Sequence, residues 1–84
     1  MRVIKFGLQK DWTTIEHDTF IEPLWIEWQY EGFVLWCKEY SVLKQDTPLK
    51  VFLAYTGEQV QDTWHYIGTA TNPERTLVVH AFKA

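Results

Sequence analysis

The sequence predicts an all-β fold: a small antiparallel sandwich or partly open barrel of about six or seven strands, with little or no helix. Three observations carry that prediction. Short runs alternate apolar and polar residues with a period of two, turn signals punctuate them at regular intervals, and no stretch holds a helical period. Its 84 residues are read as one domain spanning 1–84, near the lower end of what a single core supports.

The elements follow in order. In "VIKFGL", Ile4, Phe6 and Leu8 share one face, and "QKD" turns the chain. "WTTIEH" is short and β-branched. "TFIEP" ends at Pro23, which cannot donate to a central ladder and so indicates an edge or a break. "LWIEWQYEGFVLWCK" reads as a hairpin turned by Glu31-Gly32. Pairing Tyr30 with Phe33 sets Trp28 opposite Leu35, Ile26 opposite Cys37, Glu27 opposite Trp36 and Trp25 opposite Lys38. Leu24, Ile26, Trp28, Tyr30, Phe33, Leu35 and Cys37 then form the core face, leaving Trp25 and Trp36 among charges on the other. "EYSVLKQDTPL" is irregular, a loop or a short helical turn with an extended exit at Pro48. "KVFLAYT" is a strand, and "TWHYIGTA" and "TLVVHAFK" form a closing hairpin. Asn72 to Arg75 joins that pair, with proline at the second position of a type I turn.

Composition narrows the function. Five tryptophans, four tyrosines and five phenylalanines exceed what a core this small can bury, so some rings face outward. Residues 11–37 carry six acids (Asp11, Glu16, Asp18, Glu22, Glu27, Glu31) and no lysine or arginine. With a net charge of −3, that argues against direct nucleic-acid binding. One cysteine, Cys37, excludes an intramolecular disulfide and falls on the core face. No apolar run reaches membrane-span length and "MRVIKFGLQK" has no signal-peptide pattern, so a cytoplasmic location is expected.

Chemistry centres on the closing hairpin. Pairing Thr71 with Thr76 sets Ile67 opposite His80 and His65 opposite Phe82, which places His65 and His80 diagonally on one face. The two histidines would be a ligand site together with Arg75, or a general acid–base pair acting on a phosphodiester. The plainer reading is two strand residues used for packing. His17-Asp18-Thr19 is a lone H-x-T where two-histidine phosphoesterases need two, and no third ligand completes a metal site, so neither metal nor cofactor is expected.

Several short segments together resemble a group of short phage and prophage proteins. Its members carry a "Q-T-I-E" segment, a "C-L-W-A-L" strand, a "G-T-G" stretch and a closing "Y-I-G-T…H-V-F". Thr14-Ile15-Glu16 resembles the first, Val34-Leu35-Trp36 the second and Tyr55-Thr56-Gly57 the third. Tyr66-Ile67-Gly68-Thr69 with His80-Ala81-Phe82 resembles the last. The sequence departs from the group at "EPLWIEWQYEG", which is more aromatic and acidic. The resemblance implies a β fold and a phage origin, hence action in the host cytoplasm, and it assigns no catalytic residue.

The leading expectation is a non-enzymatic binding protein that antagonises a host antiviral-defence protein. Its surface would comprise Trp12, Trp25, Glu27 and Trp36, tryptophan anchors ringed by acids. The alternative cover for Trp25 and Trp36 is the rest of the sandwich, or a second copy in a homodimer. A second function is a sponge for a nucleotide signal, with rings stacking on the base and Arg2, Lys5, Lys44, Lys50 or Arg75 meeting phosphates. A small phosphodiesterase built on His65 and His80 comes third.

Overall fold

Seven strands account for most of residues 2–84, which the computed structural model describes. In chain order they are β1 (Arg2–Leu8), β2 (Asp11–Ile15), β3 (Thr19–Gln29), β4 (Gly32–Lys44), β5 (Leu49–Tyr55), β6 (His65–Thr71) and β7 (Val78–Lys83). They form two antiparallel sheets, one ordered β1-β4-β3 and the other β2-β5-β7-β6. The all-β prediction holds as a sandwich: the sheets pack face to face and do not close into a barrel, and no helix is present among the described residues.

Alternation selects the core. From β4 come Phe33, Leu35 and Cys37, and from β3 Ile21 and Ile26; from the second sheet come Ile15, Leu49, Val51, Leu53, Ala70, Val79 and Ala81. Ile4, Phe6 and Leu8 pack against this cluster as the β1 alternation predicts. Pro23 sits in β3, an edge strand, beside a register break at Leu24, where its missing N–H costs no ladder bond.

Both hairpins differ from the sequence reading by two residues. In the first, Trp28 pairs with Phe33, Ile26 with Leu35 and Trp25 with Trp36, and the turn is Tyr30-Glu31. Tyr30 takes a left-handed φ of 59° that a glycine-seeking rule assigns elsewhere, and Gly32 enters the strand. A slip of two leaves each side chain on its predicted face. Two residues nevertheless leave the core: Tyr30 projects from the turn, and Leu24 is the bulged residue. The "irregular" segment after Glu39 is also strand, since β4 runs on to Lys44.

The second hairpin has a six-residue loop, with Thr71 opposite Val78 rather than Thr76. The predicted Asn72–Arg75 turn does form, closed by the Arg75 N–H donating to Asn72 O at 3.0 Å. The Asn72 side chain then captures the next donors. Its Oδ1 accepts from the N–H groups of Thr76 and Leu77, each at 3.0 Å, so neither is free to continue the ladder. A further break at Ile67 makes Tyr66 face Phe82 and His65 face Lys83.

At one end of the sandwich lies a charged cluster. Glu39, buried, accepts hydrogen bonds from Arg2 Nε at 2.5 Å and Thr19 Oγ1 at 2.9 Å, and His17 Nε2 stands 3.4 Å away. His17-Asp18-Thr19 therefore serves structure: Nδ1 of His17 lies 3.0 Å from the Thr19 carbonyl, and the ring stands edge-on to Phe6.

Candidate binding faces

Two outward faces carry the residues of interest, one per sheet. On the three-stranded sheet, Lys5, Trp36 and Trp25 form a row across β1, β4 and β3. Trp25 is 55% exposed while Trp36 is half-buried. Glu27 lies opposite Val34, not Trp36, yet its carboxylate accepts the Trp36 indole N–H diagonally at 2.6 Å. Lys5 Nζ lies 5.4 Å from the Trp36 ring centroid and bonds the Gln29 side chain. Lys38, expected opposite Trp25, instead pairs with Glu22 and sits over the Tyr40 ring.

The face continues into a cleft between β3 and β6. These strands are edges of different sheets, and no backbone hydrogen bond joins them. A space of about 450 Å³ is lined by Trp25, Glu27, Trp28, Thr69, Thr71 and Pro73 among others, one acid and no base. The edges close at Gly68, where a Cβ would stand 3.5 Å from Ile26 Cγ1, an ordinary contact. Beyond that point the seam opens again beside Glu22, His65 and Lys83.

Trp12 does not join Trp25 and Trp36. It belongs to β2, in the other sheet, and faces outward on the opposite side of the molecule. There Trp12, Phe52, Phe82 and Tyr66 occupy one row across β2, β5, β7 and β6. Trp64, just before β6, packs on two of them, with centroids 5.0 Å from Trp12 and 5.1 Å from Phe52. That contact fastens the preceding loop to the sheet. Lys10 adds a cation 4.4 Å from the Tyr55 ring centroid and bridges Asp11 and Glu58, both at 2.6 Å. Hydrogen bonds to Asp11 and Glu58 raise the Lys10 pKa, and the bond from Lys10 lowers that of Glu58.

Beside this row runs a chain of polar groups that sequence spacing missed. Thr56 Oγ1 lies 2.8 Å from His80 Nε2, Thr69 Oγ1 lies 2.9 Å from His80 Nδ1, and Tyr66 Oη lies 2.6 Å from Thr69 Oγ1. Both ring nitrogens of His80 are thus engaged by threonine hydroxyls. The expected His65–His80 pair is absent: the break at Ile67 turns His65 onto the side of Lys83, whereas His80 shares the outward face with Phe82 and Thr69. Only the ladder register could have revealed this, because one extra residue in a strand reverses every side chain beyond it. Arg75 stands on the exposed loop with a φ of 58°, apart from both histidines.

Cys37 is fully buried and its thiol pKa is pushed up to about 12 by desolvation, which removes the thiolate needed for nucleophilic work. Among the described residues, no three His, Cys, Asp or Glu side chains gather closely enough to hold a metal ion.

Comparison with known proteins adds a family and no activity. No curated protein and no solved structure matches the chain. A family model does match, over residues 1–84, and the chain accordingly belongs to the family described as Domain of unknown function (DUF7352).

Proposed function

We propose that this chain is a phage-encoded, non-enzymatic binding protein that antagonises a host antiviral-defence protein in the host cytoplasm. The observation that carries the reading is the Trp25–Glu27 region. A tryptophan more than half exposed stands at the mouth of a cleft that holds an acid and no base, between two unpaired sheet edges. Tryptophan anchors contribute heavily to protein interfaces, and a carboxylate beside them selects a basic patch on the partner. Trp36 and Lys5 support the anchor from beneath by holding Glu27 and the strand in place. Trp12 is not part of this surface.

The test joins activity to surface. Expressed in a host with intact defence systems, the protein should raise the plating efficiency of a restricted phage. Trp25→Ala and Glu27→Gln, which removes the charge but keeps an acceptor for the Trp36 indole, should abolish that gain while leaving the melting temperature near wild type. Equal plating with and without the protein, across hosts carrying different defences, would sink the antagonist reading. A purified target that binds wild type and Trp25→Ala alike would move the interface elsewhere.

A further inference from the structure

The outward face of the four-stranded sheet differs from its counterpart in charge. Glu22 and Glu27 occupy strand positions on the three-stranded face beside Lys5 and Lys38, so acids and bases are mixed there. On the four-stranded face the outward positions include Trp12, Thr14, Lys50, Phe52, His80 and Phe82, and none carries a carboxylate. The two carboxylates beside this face, Asp11 and Glu58, are both paired with Lys10 near the Phe52 and Tyr55 rings. Lys50 is exposed there and makes no ion pair among the described residues, while the neighbouring Lys10 is satisfied by Asp11 and Glu58.

Ring packing divides this face in two. Trp12, Phe52 and Trp64 pack on one another within 5.1 Å and hold the loop before β6. Tyr66 and Phe82 hold nothing comparable. Tyr66 is 61% exposed, tilted 61° to Phe82 at 5.7 Å, so it stands as a wall beside a half-open floor. On one side of that floor lies the Thr69–His80–Thr56 row, in which both imidazole nitrogens are taken and the two threonine hydroxyls keep lone pairs to offer. On the other side lies Lys50, four residues along β5 from the partner of His80, or about 13 Å by strand rise.

We propose that this face binds a free nucleotide, at a site that shares only Thr69 with the lining of the Trp25 cleft. The base stacks on Phe82 against Tyr66, its polar edge meets the hydroxyls of Thr69 and Thr56, which His80 holds in place, and its phosphate reaches Lys50. Stacking suits a ring floor, since every base has a π-face, and a lone free cation suits one phosphate group. A polymer would demand a cationic track, which a chain with this net charge does not present.

Amide NMR titration of the intact protein with AMP, adenosine, ribose 5-phosphate and a single-stranded oligoadenylate tests the assignment. AMP should shift the amides of Phe82, Thr69 and Lys50 and bind more tightly than adenosine, while ribose 5-phosphate should bind about tenfold more weakly or not at all. Tyr66→Ala and Lys50→Gln should each weaken AMP binding about fivefold or more. Trp25→Ala should bind AMP as wild type does, because Trp25 lines only the cleft and the shared Thr69 is retained. No shift with AMP at millimolar concentration would overturn the proposal, as would unchanged affinity in Tyr66→Ala. Affinity that climbs with oligoadenylate length would overturn it in favour of a polymer.

Discussion

Cys37 and Glu39, two residues apart on the core side of β4, differ in everything but position. Cys37 belongs to the buried hydrophobic cluster, and desolvation raises its thiol pKa to about 12. It should not react with Ellman's reagent in the native protein at pH 8, and should react fully once denatured. Rapid native reaction would show that β4 opens locally. Glu39 is held below the ordinary carboxylate pKa, first by the hydrogen bond from Arg2 and then by that from Thr19. A carboxylate depressed in the folded state adds stability above its unfolded value, near pH 4.3, and loses it as pH falls through the folded value. Glu39→Gln removes that dependence. Urea denaturation at pH 7 and pH 3 should show a smaller acid-induced loss in the variant than in wild type. Equal losses would mean that other carboxylates carry the acid sensitivity.

At the scale of elements, the β6–β7 loop shows what one polar side chain can do to a hairpin. Asn72 makes three bonds into its own loop, to the N–H groups of Thr76 and Leu77 and to the Thr76 hydroxyl, the last at 3.0 Å. Asn72→Ala leaves two backbone donors to water and should cost about 1–2 kcal/mol, read as a lower urea midpoint with an unchanged slope. Asn72→Asp retains the acceptor and should cost less. These bonds also explain the limits of the sequence reading. Strand positions and faces were legible because side-chain alternation survives a slip of two residues, so Trp25 and Trp36 were correctly placed outward. Register was not, because it hung on a left-handed tyrosine at Tyr30 and on the capping by Asn72, neither of which a turn rule anticipates. Pro23 marked the break at Leu24, whereas the bulge at Ile67 left no mark in composition, and it separated His65 from His80. Likewise the Thr56–His80–Thr69–Tyr66 chain joins three segments distant in sequence, and only the pairing of β5, β6 and β7 brings them together.

Across the whole molecule, the question is whether the outward rings serve stability. A domain of this length has roughly 4–13 kcal/mol in total to lose. Leu35 is completely buried between the sheets, and Leu35→Ala should cost about 2–5 kcal/mol, enough to leave a large unfolded fraction. Trp25 and Tyr66, both more than half exposed, project from the outward faces of different sheets. Alanine at either should cost less than about 1 kcal/mol, and the double variant should equal the sum within about 0.5 kcal/mol when the two rings act independently. Urea denaturation of the four variants measures all of this. If Trp25→Ala or Tyr66→Ala approached Leu35→Ala in cost, the rings would be part of the packing and their exposure would need no partner to explain it. With near-wild-type stability, two large aromatic side chains remain in water on opposite faces of a small domain that does not need them to fold. That outcome is what the two proposed binding surfaces predict.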